Sequence, residues 1–142
     1  MDHVAIMSGN GFFLDAILSG KKTIESRWYK TRRTPWNNIR SGDTIYFKNT
    51  AKQVTAKAVV GKVIFFELNK KKSEEIFKKY CKDIMIDRKY FNENCKDKNY
   101  CVLIFLREAK EIKPFDIDKT GYGNACAWIT INSINKIKQS PL

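Results

Sequence analysis

Residues 54–68, VTAKAVVGKVIFFEL, form an unbroken strand pattern rich in valine, isoleucine and phenylalanine. At about 3.3 Å per residue such a run would extend roughly 50 Å, well beyond the usual ~17–20 Å strand. A strand that long has to bend to stay within a small protein. Gly61, in its middle, marks the place for a bulge or bend. Shorter strand patterns linked by turns surround it. Together they predict an α+β fold: a small closed or partly closed β-barrel with flanking helices.

The remaining segments fit that frame. Residues 4–7 read as a buried strand, ended by the turn chemistry of Ser8-Gly9-Asn10-Gly11. Residues 12–19 carry apolar side chains four apart, as a helix requires, and Gly20 sits where a helix C-terminal glycine belongs. Residues 23–29 and 44–48 alternate as strands. Ser73 is the expected N-cap of a helix over 74–81, with Ile76, Phe77 and Tyr80 as its apolar stripe. A short helix over 87–94 would turn Tyr90 and Phe91 inward. Residues 100–106 form an apolar strand, 110–115 run extended until Pro114, and 127–131 form the last strand. With no linker or repeat, residues 1–142 are expected to be one domain.

Twenty-seven lysines and arginines against 15 acidic residues leave a net charge of +12. Such a field favours polyanions, although excess lysine can also be plain solvated surface. Cys81, Cys95, Cys101 and Cys126 form no C-x-x-C pair, and His3 stands far from them, so no metal site or cofactor is indicated. Reduced buried thiols fit a cytoplasmic protein. No apolar stretch has the length of a signal peptide or membrane span, so no membrane partner is expected.

Ionisable groups concentrate in Gly20-Lys21-Lys22-Thr23-Ile24-Glu25-Ser26-Arg27. In a strand, Glu25 and Arg27 project to one face and Ser26 and Trp28 to the other. A carboxylate and a guanidinium so placed can pair with each other or hold a ligand between them. Basic residues Lys30, Arg32, Arg33 and Arg40 follow, interleaved with Trp28, Tyr29 and Trp36. Charge for a backbone and faces for stacking are what unpaired nucleic acid needs. Trp28 and Trp36 fit either a stacking or a core role, whereas Trp128 reads as core. His3 has no partner placed by sequence to make it catalytic. Gly121-Tyr122-Gly123-Asn124 lacks the lysine of a phosphate loop and reads as a turn.

Gly20, Lys22, Glu25 and Arg27 spell G-x-K-x-x-E-x-R, in which the chain resembles the ASCH family, relatives of PUA domains. The context resembles it too, from about residue 3 to 66 and again over 127–131. This resemblance implies a PUA-like barrel whose cleft faces RNA, single-stranded nucleic acid or a nucleotide or nucleoside. Lys22, Glu25, Arg27, Trp28, Arg32, Arg33 and Lys48 are the expected binding residues. It also carries an enzymatic alternative, with Lys22 and Glu25 as the catalytic pair. Some small relatives hydrolyse an N4-acylated cytidine with this lysine, a threonine three residues on and a distal glutamate. Here Glu25 occupies the threonine's place, and Glu67, Glu74 or Glu75 would have to supply the distal carboxylate. Metal-independent ribonuclease action is another option, and a protein-interaction adaptor in a transcription or translation assembly is a third class.

Overall fold

In the computed structural model, residues 1–123 and 125–139 are described, and Asn124 of the turn above lies outside them. The first strand, β1 (Asp2–Met7), leads through Gly11 into helix α1 (Phe12–Leu18). Strand β2 (Ile24–Tyr29) follows the helix, and β3 (Thr44–Asn49) and β4 (Val54–Glu67) come next. Helices α2 (Lys70–Ile84) and α3 (Arg88–Asn94) are inserted before β5 (Tyr100–Phe115) and β6 (Trp128–Ile131). The sheet order is β2-β5-β4-β3-β1-β6, antiparallel except for the β1–β3 pair.

The two long strands curl this sheet into a half-barrel. Register shifts interrupt the β4–β5 ladder at three points, between Val54 and Ala56, Lys57 and Val59, and Val60 and Val63. Each shift sharpens the local twist, so strands of 14 and 16 residues wrap the core instead of overshooting it. Gly61 lies in the last of these. A Cβ there would stand 3.3 Å from both the Arg107 Cγ and the Phe105 carbonyl oxygen. The close approach of β5, and not a special φ, is what calls for glycine at this point. One bulge also corrects an expectation. The two extended pieces 100–106 and 110–115 are one strand, joined through Glu108, whose φ of 55° absorbs the irregularity.

Inside the curl, Ala5, Met7, Ile45, Phe47, Ala56, Ala58, Val102 and Ile104 pack with Leu14 and Ile17 of α1. The outer face of β2 and β5 is covered by α2 and α3, through Ile76, Phe77, Ile84 and Phe91 on Ile24, Cys101 and Leu103. The cap of α2 differs from the sequence expectation. Asn69, at the end of β4, accepts a hydrogen bond from the Lys72 amide at 2.7 Å, so the helix starts a full turn before Ser73. Ser73 is carried into the helix interior, 1% exposed, with its Oγ unpartnered. An asparagine at the strand exit caps as well as a serine and is reached first. Asp87 caps α3 by accepting from the Tyr90 amide.

Candidate nucleotide-binding cavity

Strand β2 is an edge of the sheet. One side pairs with β5, and the other borders a cavity of about 260 Å3 between β2, the end of β1 and the α2–α3 corner. Residues of both parities on β2 therefore reach it, which face-by-face reasoning does not anticipate. Glu25 and Arg27 line it, and so do Ser26 and Trp28.

The turn after α1 delivers Lys22. Gly20 adopts φ 83°, and the Lys22 amide then bonds the Ala16 carbonyl at 3.0 Å, folding the chain back under the helix. The Lys22 side chain, 2% exposed, donates to the Ile84 carbonyl at 2.6 Å and lies 3.3 Å from Glu25 Oε1. Its ammonium also sits 4.9 Å from the centre of the Phe13 ring. Glu25 is 4% exposed and has three donors: Lys22, the Ser26 amide at 3.0 Å and Arg27 Nη2 at 3.1 Å. Arg27 continues to the Ala127 carbonyl at 3.3 Å and to Met7 Sδ at 3.5 Å. Because Ala127 directly precedes β6, Arg27 links the two edges of the half-barrel.

Burial pushes the Glu25 carboxyl up, but the charges of Lys22 and Arg27 and the hydrogen bonds outweigh it, and its pKa falls below the ordinary value. Glu25 is thus an ionised acceptor. Burial lowers the Lys22 pKa, with Arg27 adding to the effect and Glu25 opposing it. Two cations against one carboxylate leave a net positive charge, and the N–H groups of Lys22 and Arg27 not spent on these contacts remain for a ligand. Cys95 also lines the cavity, but burial raises its thiol to about 12, so it carries no thiolate at neutral pH.

Arg27 rests on a buried relay. Its guanidinium lies 5.1 Å from the Trp128 ring centre. The Trp128 Nε1–H donates to His3 Nδ1 at 3.1 Å, which assigns the ring proton to Nε2, bonded to Asp43 Oδ2 at 2.8 Å. His3 is fully buried, and burial holds its pKa below the usual value against the pull of Asp43. Its role is to hold Trp128.

The other expected residues fall elsewhere. Arg32 is exposed, pairs with Glu67 at 2.9 Å and lies over the rings of Trp36 and Tyr100. Arg33 is exposed; its charge reaches Tyr29, which lines the cavity. Lys48 lies on β3 beside a different cavity. Trp28 packs edge-on against Phe91 and hydrogen-bonds Ser26 Oγ, so it is wall and core together. Trp36 belongs to the core, against Phe65. Thr23 is exposed, and Glu67, Glu74 and Glu75 lie outside the cavity in ion pairs with Arg32, Arg88 and Lys72. Among the described residues, no three His, Cys, Asp or Glu side chains cluster as metal ligands would. Tyr29, which the sequence offers as a stacking face, is part of the wall, and Asn94 and Lys98 join it without having carried a sequence signal.

A curled α+β half-barrel, with a buried lysine–glutamate–arginine trio at its open seam, places the chain among PUA-like proteins. Its sequence matches the family model of the ASCH domain over residues 12–116, and the chain belongs to that family. Among solved structures it is similar to ASCH from Zymomonas mobilis, with a TM-score of 0.71 and 18% identity over 95% of this chain and 90% of that one. A tyrosine-to-phenylalanine variant of the same protein superposes equally well, covering 93% of its chain. At that identity the likeness is one of fold. No curated protein matches the sequence. No helix among the described residues is long and apolar enough to cross a membrane.

Proposed function

We propose that this protein binds RNA by taking one nucleotide of a single strand into the cavity of Lys22, Glu25 and Arg27. The observation that carries this reading is the composition of that cavity: two cations fixed on one ionised carboxylate, walled by Phe13, Trp28, Tyr29 and Tyr90. Its volume of about 260 Å3 falls just below the usual range for drug-sized ligands, so it suits a single nucleotide moiety and not a duplex. Arg27 offers a phosphate or a base carbonyl the N–H groups that it does not give to Glu25, Met7 and Ala127. Glu25, held ionised, accepts from an exocyclic amino group. The rings supply faces for stacking. Membership of a family generally thought to bind RNA points the same way.

One observation favours turnover as a second reading. The lowered pKa of Lys22 makes it a readier proton donor than a surface lysine, as hydrolysis of an N4-acylated cytidine or cleavage of RNA would require. Against it, the trio's single carboxylate is a weak base, and the distal glutamates considered from sequence lie outside the cavity.

The test is a titration of short single-stranded RNA, duplex RNA and N4-acetylcytidine with wild type and Arg27→Ala at several salt concentrations, with products examined. The binding reading expects salt-sensitive affinity for the single strand, a loss of about tenfold or more in Arg27→Ala, and unchanged products. Altered products that vanish in Lys22→Met would establish turnover instead. Equal affinity of wild type and variant would refute the cavity as the binding site.

A further inference from the structure

A second cavity, an open groove of about 500 Å3, backs onto the first. Phe13, Ile86 and Tyr90 line both, so these three side chains are the partition between them. Phe12, Cys81 and Met85 make the rest of the groove mostly apolar, and the exposed Lys82 and Asp87 stand at its rim.

Phe12 is the unusual member. At 56% exposed it is more open to solvent than any other large apolar side chain among the described residues. Helix α1 does not use it for packing, since the residues it buries are Leu14, Ala16 and Ile17. A lone exposed ring needs no explanation, but this one continues the wall of the first cavity. Phe12 meets Phe13 edge-on at 5.4 Å, and Phe13 meets Tyr90 the same way at 5.5 Å. Three rings therefore run from the partition to the open side of the groove. Bases of an unpaired strand splay apart and stack on separate aromatic side chains. The rim suits a nucleotide as well. Lys82 shares its helix with the exposed Lys78 and Lys79, which gives cations for a phosphate. Asp87 accepts the Tyr90 amide with Oδ1 alone, which leaves its second oxygen for a base amino group.

We propose that this groove is a second nucleotide subsite, in which the base next to the one held in the first cavity stacks on Phe12; this rests on the first cavity holding a nucleotide. The protein then grips two neighbouring bases of a single strand on either side of the Phe13–Tyr90 partition.

The experiment compares cytidine 5′-monophosphate with a cytidine tetranucleotide, each titrated into wild type, Arg27→Ala and three variants at Phe12. Phe12→Ala should weaken the tetranucleotide by about tenfold and leave the mononucleotide at wild-type affinity. The salt slope of tetranucleotide binding should not change, because Phe12 neutralises no phosphate. Phe12→Trp, which keeps a stacking face, should bind the tetranucleotide as wild type does. Phe12→Leu, apolar but without that face, should behave like Phe12→Ala. Tetranucleotide affinity that is equal in wild type and Phe12→Ala, while Arg27→Ala weakens both ligands, overturns the groove and leaves the first cavity standing. Tetranucleotide binding that needs Phe12 but not Arg27 retires the first cavity and keeps the groove as a stacking site. No binding of either ligand to wild type overturns both.

Discussion

Glu25→Gln tests the electrostatic account of the trio most severely, because it alters charge and almost nothing else. In the wild type, Glu25 Oε1 receives the Ser26 amide and faces Lys22, and Oε2 receives Arg27. Glutamine keeps one acceptor and must turn an amide donor toward either Lys22 or Arg27. Two buried cations then lose their shared counter-charge. Removing one partner of a buried pair costs about 3–5 kcal/mol. Lys22 can shed its proton, which places the expected loss near the lower figure, about 3 kcal/mol. For a chain of this size that is a Tm lower by roughly 10 °C. The acid limb should change as well. Glu25 has a depressed pKa in the fold, so the unfolded chain binds more protons below about pH 4.5, and wild-type stability falls as pH drops through that window. Glu25→Gln removes this contribution. Without the carboxylate opposing burial, Lys22 should also titrate lower still. Urea unfolding from pH 3 to 8, with 13C titration of the lysine Cε atoms, measures both effects. A variant within about 0.5 kcal/mol of wild type, with the same acid limb, would refute the reasoning.

Three further predictions concern the frame around the site. Gly61→Ala should destabilise by about 1–3 kcal/mol, because its methyl meets Arg107 and the Phe105 carbonyl at 3.3 Å; chemical denaturation that finds the variant equal to wild type would show that β5 yields there. Asn69→Ala should cost about 1 kcal/mol, while Ser73→Ala, which removes an unpartnered buried hydroxyl, should be neutral or stabilising; the reverse order in denaturant midpoints would restore Ser73 as the cap. His3 has a lowered pKa in the fold, so its contribution is complete above about pH 6.5 and is lost as pH falls through the depressed value. Stability of wild type should therefore decline on acidification below about pH 6.5, and His3→Gln should flatten that decline.

Much of this fold was legible because its controlling features are local. Gly61 inside a long apolar run announces a bend, and Gly20 after a helical pattern announces the turn that delivers Lys22. The alternation of β2 correctly paired Glu25 with Arg27. Other features depend on contacts remote in sequence. Arg27 is fixed by Ala127 and Trp128, and Lys22 by the Ile84 carbonyl, none of which any spacing reveals. Arg32 and Lys48 read from sequence as binding residues of the same cleft as Arg27. Arg32 instead turns to Glu67 at the end of β4, and Lys48 lies on β3, three strands from β2 in the sheet. Ser73 matched the pattern of a cap, and lost that role only because Asn69 stands at the actual exit of β4.

The most direct test of the central claim is an NMR titration of single-stranded RNA into the protein, following the Arg27 Nε–H and the indole N–H groups of Trp28, Trp36 and Trp128. The account predicts saturable shifts of Arg27 and Trp28, which line the cavity, with Trp128 following through its contact with Arg27 and Trp36 unmoved. Shifts confined to the lysine-rich surface of α2, with Arg27 and Trp28 unmoved, would contradict it.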